Sequence, residues 1–259
     1  MTFAPMATPE MPLVSIVTPV LNGERFLPET LASVRGQDYP RLEHVVVDGG
    51  STDGTLDLLR HAPGVVWASA RDAGMYDAVG RGFDLARGDV LAYQNSDDRY
   101  VVPGAVSAAV RHLAAHPEAD VVYGDFRYID EAGRVLSRRA PGRDFDLAAL
   151  RRHNFVPPHA AFVRRRVVEE GHRPDPSLRF AGDWDWFLGM ARAGKGFAHL
   201  SEVLAEFRLH SLTQTRTVSW RAKVGEWRRV CARHDASLAV LLWYEGLWGP
   251  LRRRLRLPV

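Results

Sequence analysis

Four short β-branched runs alternate with helix-patterned segments through the first part of this chain, and few folds accommodate that order. Leu13 to Thr18, Glu43 to Asp48, Val65 to Ala68 and Val90 to Tyr93 read as strands. Pro28 to Val34, Thr55 to His61, Met75 to Ala86 and Pro103 to His116 carry apolar residues at helical spacing. Runs such as His44-Val45-Val46-Val47 have no polar side, so both faces need cover. A parallel sheet with helices on both faces supplies it, and ligands then sit at the carboxyl ends of the strands. The expected fold class is α/β, and the loops after Thr18, Asp48 and Gln94 are the places to look for chemistry.

Beyond residue 120 the pattern changes. Asp120 to Tyr128 and Arg134 to Arg138 flank the turn Asp130-Glu131-Ala132-Gly133 and read as a hairpin; a mixed region follows from Phe145 to His210. From Val218 onward the chain is rich in Trp and Arg, and the stretch Leu238 to Trp248 is apolar and aromatic ahead of Arg252, Arg253, Arg254 and Arg256. Such a tail can pack on the domain, join two copies of the chain as a homodimer, or lie in an anionic membrane interface. The expected organisation is a flexible arm over 1–11, a catalytic domain over 12–217 with a first half to 119 and a second from 120, and a helical extension over 218–259.

Composition narrows the function classes. The net charge is +3, but lysine occurs only at Lys195 and Lys223 and the arginines are dispersed among acids, so no nucleic-acid surface is expected. Cys231 is the single cysteine, which rules out an internal disulfide and fits a reducing cytoplasm. No run approaches the roughly 18 to 20 apolar residues of a membrane span, and the start of the chain lacks a basic region followed by an apolar one. The expected location is cytoplasmic, with the inner face of the membrane open to the tail.

Three clusters can carry chemistry. In Asp48-Gly49-Gly50-Ser51-Thr52-Asp53-Gly54-Thr55 an acid ends a strand and is followed by turn glycines and helix-capping hydroxyls; Asp48 can cap the turn or, exposed, accept hydrogen bonds from a base or ribose. In Asn95-Ser96-Asp97-Asp98 two adjacent carboxylates raise each other's pKa unless a cation lies beside them, which points to Mg²⁺ or Mn²⁺ bridging phosphates, although a solvated turn also accounts for them. In Gly182-Asp183-Trp184-Asp185-Trp186 an acid stands at a helix start, as a cap or as a base walled by aromatics; the two roles are compatible. His210 and His159 are each either a ligand or phosphate contact or a packed residue.

Taken in order, Thr18-Pro19-Val20-Leu21-Asn22, Val47 to Thr55, Asp72-Ala73-Gly74-Met75-Tyr76-Asp77-Ala78, Asn95 to Asp98 and Gly182 to Asp185 resemble glycosyltransferase family 2, whose fold is the Rossmann-like GT-A fold. The resemblance spans 12 to about 215. It implies a nucleoside-diphosphate sugar donor held over the first half of the sheet, with Asp48 on the base, Pro19 and Asn22 beside it and Asp72 near the nucleoside. It implies that Asp97 and Asp98 correspond to the DxD region, touching the ribose and binding the diphosphate through Mn²⁺ or Mg²⁺, with His210 at the metal. Asp183 falls at the position of the catalytic base, and His159, Trp184 and Asp185 fall on the acceptor side. The implied reaction is inverting transfer to an acceptor hydroxyl, a glycan or a lipid-linked one, in surface polysaccharide assembly. Two departures stand out: Gly49 and Asn95 occupy positions where the family often has Asp, and the second shifts the metal role toward Asp98. A nucleotidyltransferase and a catalytically decayed sugar-nucleotide-binding protein are the alternatives; the first lacks a Gly-rich basic loop at Leu21 to Arg25.

Overall fold

A computed structural model describes residues 11–101, 103–136, 143–211, 213 and 217–237. The strands are β1 (Val14–Val20), β2 (Leu42–Asp48), β3 (Val65–Ser69), β4 (Val90–Tyr93), β5 (Arg99–Tyr100), β6 (Ala119–Ile129), β7 (Ala161–Arg164) and β8 (Gly196–Arg208). The helices are α1 (Leu27–Arg35), α2 (Thr55–Arg60), α3 (Met75–Leu85), α4 (Ala105–Ala115), α5 (Leu147–Leu150), α6 (Arg165–Glu169), α7 (Gly182–Arg192) and α8 (Trp220–His234). All four strands and four helices expected before residue 116 are present, with ends displaced by a residue or two.

The strands form one sheet in the order β3-β2-β1-β4-β7-β6-β8-β5. β1, β2, β3 and β4 run parallel, β7 runs antiparallel to β4 and β6, β8 runs parallel to β6, and β5 is antiparallel to β8. From β1 the chain moves outward through β2 and β3, then crosses back to add β4 on the other side. The carboxyl ends of β1 and β4 therefore mark the switch point of the sheet, where the crevice of such folds lies.

Alternation within β1 explains the double cover. Val14 and Ile16 join a cluster with Val34, Tyr100 and the α4 residues Val106 and Ala109. Val17 faces the opposite way, into a cluster with Val79 and Phe83 of α3, Phe187 and Met190 of α7, and Trp227 and Val230 of α8. α3 approaches β1 so closely that a Cβ on Gly82 would overlap the Val17 side chain. The C-terminal helix expected beyond residue 218 is thus part of the same core. The tail over 238–259 lies outside the described residues.

The hairpin expected across Asp130 to Gly133 is reduced. The turn forms, with Gly133 at φ +77° and the Asp130 carboxylate accepting from the amides of Ala132 and Arg134. Its return arm shows a single bridge, Ile129 to Val135, and residues 137–142 are outside the described set. β8 runs along one edge of β6 as far as Ile129, whereas β7 pairs only with Val121 to Tyr123 on the other, so the turn folds back beside the end of β6 that β7 leaves open.

Candidate active site

Register sets the first rim of the crevice. Val20 pairs with Asp48, so the loops after β1 and β2 leave the sheet side by side. The Asn22 backbone takes the left-handed conformation (φ 51°), and its Oδ1 accepts from the Thr52 amide at 2.8 Å while its own amide donates to Ser51 Oγ at 2.7 Å. The Gly23 amide donates to Thr55 Oγ1 at 2.8 Å, completing the lacing. Pro19 lies inside β1, buried opposite Val47, one residue below the rim.

Of the two roles open to Asp48, the structure shows the turn cap rather than the exposed acceptor. Asp48 is 0% exposed and accepts from the amides of Gly50 and Ser51 and from the hydroxyls of Ser51 and Ser69, the last at 2.6 Å. A buried carboxylate is tolerated only when its lone pairs are satisfied, and here four donors do so by shaping the loop. Any contact of Asp48 with a base would require these bonds to open.

Asp72 takes up the space beside it. Its Oδ1 accepts from the Gly74 amide at 2.9 Å, and a Cβ on Gly49 would fall 2.5 Å from its Oδ2. Gly49 therefore leaves room for the Asp72 carboxylate, so the missing acid at 49 is replaced spatially by one from the loop before α3. Burial raises the Asp72 pKa, and the neighbouring Asp77 and Asp48 charges add to it.

The second rim follows β4. Asp97 is partly exposed, and its Oδ2 lies 2.7 Å from His210 Nε2. Asp98 is 1% exposed, and its oxygens accept from the Arg208 amide and from Asn95 Nδ2, each at 2.9 Å. Burial, and next the Asp97 charge, push the Asp98 carboxyl well above the usual range. The expectation that Asp98 would take the larger share of a metal site is thus at odds with its surroundings, because both oxygens are committed and solvent does not reach it. Asn95 Oδ1 is buried without a hydrogen-bond partner among the described residues. Arg208, itself 0% exposed, holds the turn from below: Nε donates to the Asp97 carbonyl at 2.9 Å, and Nη2 reaches Glu29 at 2.7 Å.

Asp183, in the first turn of α7, forms the third wall. It accepts from its neighbour's amide at Trp184 (2.9 Å), from Asn154 Nδ2 (3.1 Å) and from the Tyr76 hydroxyl (3.4 Å). Burial pushes its pKa up to about 6, against the opposing pull of those hydrogen bonds. Tyr93, the last residue of β4, packs its ring against Trp186 of α7, within the electrostatic reach of Asp183 and Asp98. Burial raises its phenol pKa well above normal, and the charges of Asp183 and then Asp98 raise it further, so both carboxylates bear on one hydroxyl. That hydroxyl is buried with no hydrogen-bond partner among the described residues.

The three acceptor-side expectations do not hold geometrically. Trp184 is buried in the core with Nε1 donating to the Leu150 carbonyl at 2.7 Å, because a helix that presents Asp183 to the crevice turns the next residue inward. Asp185 is 6% exposed and bonds His234 Nε2 at 2.8 Å and Arg233 Nη1 at 2.9 Å, tying α7 to α8. His159 is enclosed between Phe126 and Phe207, with ring centroids 4.7 and 5.4 Å away, and burial pushes its pKa down to about 3.

Tyr76, Asn154, Tyr93 and Arg208 are the site residues that the pattern of the sequence did not single out. Tyr76 sits within a recognised motif, whereas Asn154, ahead of Phe155-Val156-Pro157-Pro158, carries no local signal.

The profile of the group described as Glycosyl transferase family 2 matches residues 15–171, more than half of the chain. The chain belongs to glycosyltransferase family 2. Within that family, it is 33% identical over 183 residues to a PGL/p-HBAD biosynthesis glycosyltransferase of Mycobacterium bovis, covering 68% of each protein. Among solved structures it resembles residues 1–349 of Staphylococcus aureus TarS in complex with UDP-GlcNAc, with a TM-score of 0.73 at 19% identity, over 95% of this chain and 73% of that one. It also resembles the mannosyltransferase PcManGT of Pyrobaculum calidifontis in complex with GDP-Man and Mn²⁺, with a TM-score of 0.63 at 18% identity, over 96% of this chain and 83% of that one. These likenesses give this family 2 chain the GT-A fold.

Proposed function

We propose that this glycosyltransferase moves a sugar from a nucleoside-diphosphate sugar to the hydroxyl of a glycan or lipid-linked acceptor, by a single displacement that inverts the anomeric centre, with Asp183 as the base. The observation that carries the reading is the placement of the Asp183 carboxyl in the first turn of α7, held by Asn154 Nδ2 at 3.1 Å and the Tyr76 hydroxyl at 3.4 Å, where burial raises its pKa to about 6. A base near that value is ionised at neutral pH yet holds a proton better than an ordinary aspartate. Donor chemistry is supported by the complexes of the structural neighbours with UDP-GlcNAc and GDP-Man.

The donor would lie across the rim made by Asn22, Asp48 and Asp72, its diphosphate directed toward Asp97. The donor chemistry there suits a hard divalent cation, with a carboxylate oxygen, an imidazole nitrogen and the unpartnered Asn95 Oδ1. Asp97 and His210 here hydrogen-bond each other at 2.7 Å, and the described residues hold no cluster of three or more His, Cys, Asp or Glu placed for a metal. Mn²⁺ or Mg²⁺, when bound there, would supply positive charge for the departing diphosphate. Asp97, His210 and Asn95 would hold it, while Asp98 anchors the turn through Arg208 and Asn95. Asp183 takes the proton from the acceptor hydroxyl as that oxygen attacks the face opposite the leaving diphosphate. Asn154 and Tyr76 keep its carboxylate aimed.

Screening nucleotide sugars for nucleoside-diphosphate release, with and without Mn²⁺, tests the activity, and the anomeric configuration of the glycoside product tests inversion. Retention of configuration, or full transfer by Asp183→Asn, overturns the mechanism. Tight donor binding with no turnover across acceptors favours a decayed binding protein.

A further inference from the structure

Helix α8 lies beyond the stretch matched to the family profile, yet it grips the segment from which Asp183 projects. Lys223, Glu226 and Trp227, spaced to share one helical face, all meet the loop before α7. The Trp227 ring stands edge-on to Phe180 with centroids 5.5 Å apart, and the Lys223 ammonium lies 4.8 Å over the same ring. Glu226, 6% exposed, does the polar work: Oε1 accepts from the Arg179 amide at 3.0 Å, and Oε2 accepts from the amides of Phe180 at 2.8 Å and Ala181 at 2.9 Å. These donors lead into the first turn of α7, where no carbonyl of the helix is available to them.

One peptide unit is held at both ends. The N–H of Ala181 donates to Glu226, and the carbonyl of the same peptide, that of Phe180, accepts from the Tyr76 hydroxyl at 3.3 Å. That hydroxyl also lies 3.4 Å from Asp183 Oδ1, and a Cβ on Gly182 would fall 2.5 Å from the Tyr76 ring. Rotation of the 180–181 peptide would release Glu226 and Tyr76 together and change the direction in which Asp183 leaves the backbone.

We infer that Glu226 is a positioning residue for glycosyl transfer: it fixes the backbone before α7 so that Asp183 faces the acceptor hydroxyl. The inference rests on the reading of Asp183 as the base. Its reach is chemical as well as geometric. A carboxylate offers two acceptor oxygens to three amides, whereas glutamine offers one oxygen and turns its NH₂ toward a donor.

The test is steady-state kinetics with UDP-GlcNAc or GDP-mannose, whichever is turned over, on Glu226→Gln, Glu226→Ala, Asp183→Asn and Arg233→Ala. Binding stoichiometry of the matching nucleotide, UDP or GDP, normalises each variant to its folded fraction. Arg233→Ala serves as the control, since it removes one of the two side-chain contacts of α8 with Asp185 of α7, leaving that of His234, without touching residues 179–181. The expected result is a kcat lowered roughly 10-fold in Glu226→Gln and on the order of 100-fold in Glu226→Ala, with donor KM and UDP affinity unchanged, and a wild-type kcat in Arg233→Ala. Wild-type kcat per folded molecule in Glu226→Ala, beside an inactive Asp183→Asn, overturns the positioning role alone. Equal kcat losses in Glu226→Gln and Arg233→Ala overturn it as well, because they mark a general loosening of α8. Full turnover by Asp183→Asn is a separate result and removes the base assignment itself.

Discussion

The Tyr76 hydroxyl lies 3.4 Å from the Asp183 carboxylate across 107 residues of sequence. One residue comes from the first turn of α3 and the other from the first turn of α7, so two helices packed on the same face of the sheet bring their starts to one crevice. Asn154 reaches the same carboxylate from the segment before β7 at 3.1 Å. A carboxyl held this way is both aimed and partly withdrawn from water, and its titration should govern activity and stability in opposite senses.

Activity should depend on Asp183 being ionised. With its pKa near 6, kcat should fall about tenfold for each pH unit below that value and level off above it. A pH–rate profile under saturating donor checks this; a rate unchanged from pH 7 to pH 5 excludes Asp183 as the titrating base.

Stability should move the other way. A carboxyl raised from 3.8 to about 6 binds its proton more tightly in the folded than in the unfolded chain, so ionising it costs folding free energy above the folded value. Allowing for water at its partly exposed edge, the cost at pH 7 is on the order of 1–2 kcal/mol. Asp183→Asn should therefore abolish transfer while raising Tm at pH 7, and the gain should shrink as pH falls through 6 and vanish below about 4. Thermal melts at pH 4 and pH 7 decide it; a lower Tm at both contradicts the burial account.

The two adjacent acids after β4 should separate by phenotype. Asp97→Ala should weaken Mn²⁺-dependent nucleotide-sugar binding with little change in Tm. Asp98→Ala strands the Arg208 amide and Asn95 Nδ2 and should destabilise by about 1–3 kcal/mol. Calorimetric titration with UDP and Mn²⁺, beside thermal melts, distinguishes them, and the reverse assignment would restore Asp98 as the principal ligand.

Gly49→Asp restores the acid often found at this position in the family, yet it should be harmful here. Its Cβ would meet Asp72 Oδ2 at 2.5 Å and set a second carboxylate against one already raised by burial. Donor affinity should fall at least tenfold; improved affinity would show that the two acids can share the space.

Asp185→Asn should leave acceptor KM untouched, since Asp185 faces Arg233 and His234 rather than the crevice. Loss of the charged clamp should cost about 1–2 kcal/mol, read as a lower Tm. A specific rise in acceptor KM with normal Tm would return Asp185 to the acceptor side.

Much of the architecture was legible along the chain because strand and helix periodicities are local. The runs Val14–Val20 and Leu42–Asp48, apolar on both faces, had to lie inside a doubly covered sheet, and the ends of those strands had to be where ligands gather. The motif order was equally legible, and it led to the family and its fold. The turn expected after Asp130 forms and bridges back at Ile129 to Val135 among the described residues, but that β8 would run the length of β6 was not legible, because the sequence does not say which distant strand takes an edge.

What the residue pattern decided by itself was the sheet, its covered faces, and the set of acids able to meet at one end of it. Only the tertiary structure decided which of those acids face the crevice. Asp48 is closed off mostly by its own loop, and Asp98 and Asp185 by donors that include distant ones, while Asp72, Asp97 and Asp183 keep an open side. Neighbours one position apart on a helix or turn point in different directions, and whether a carboxylate is solvated or saturated depends on partners as distant as Arg208 from Asp98 or His234 from Asp185. No local pattern encodes those partners, because hydrogen-bond donors are assigned by packing rather than by spacing.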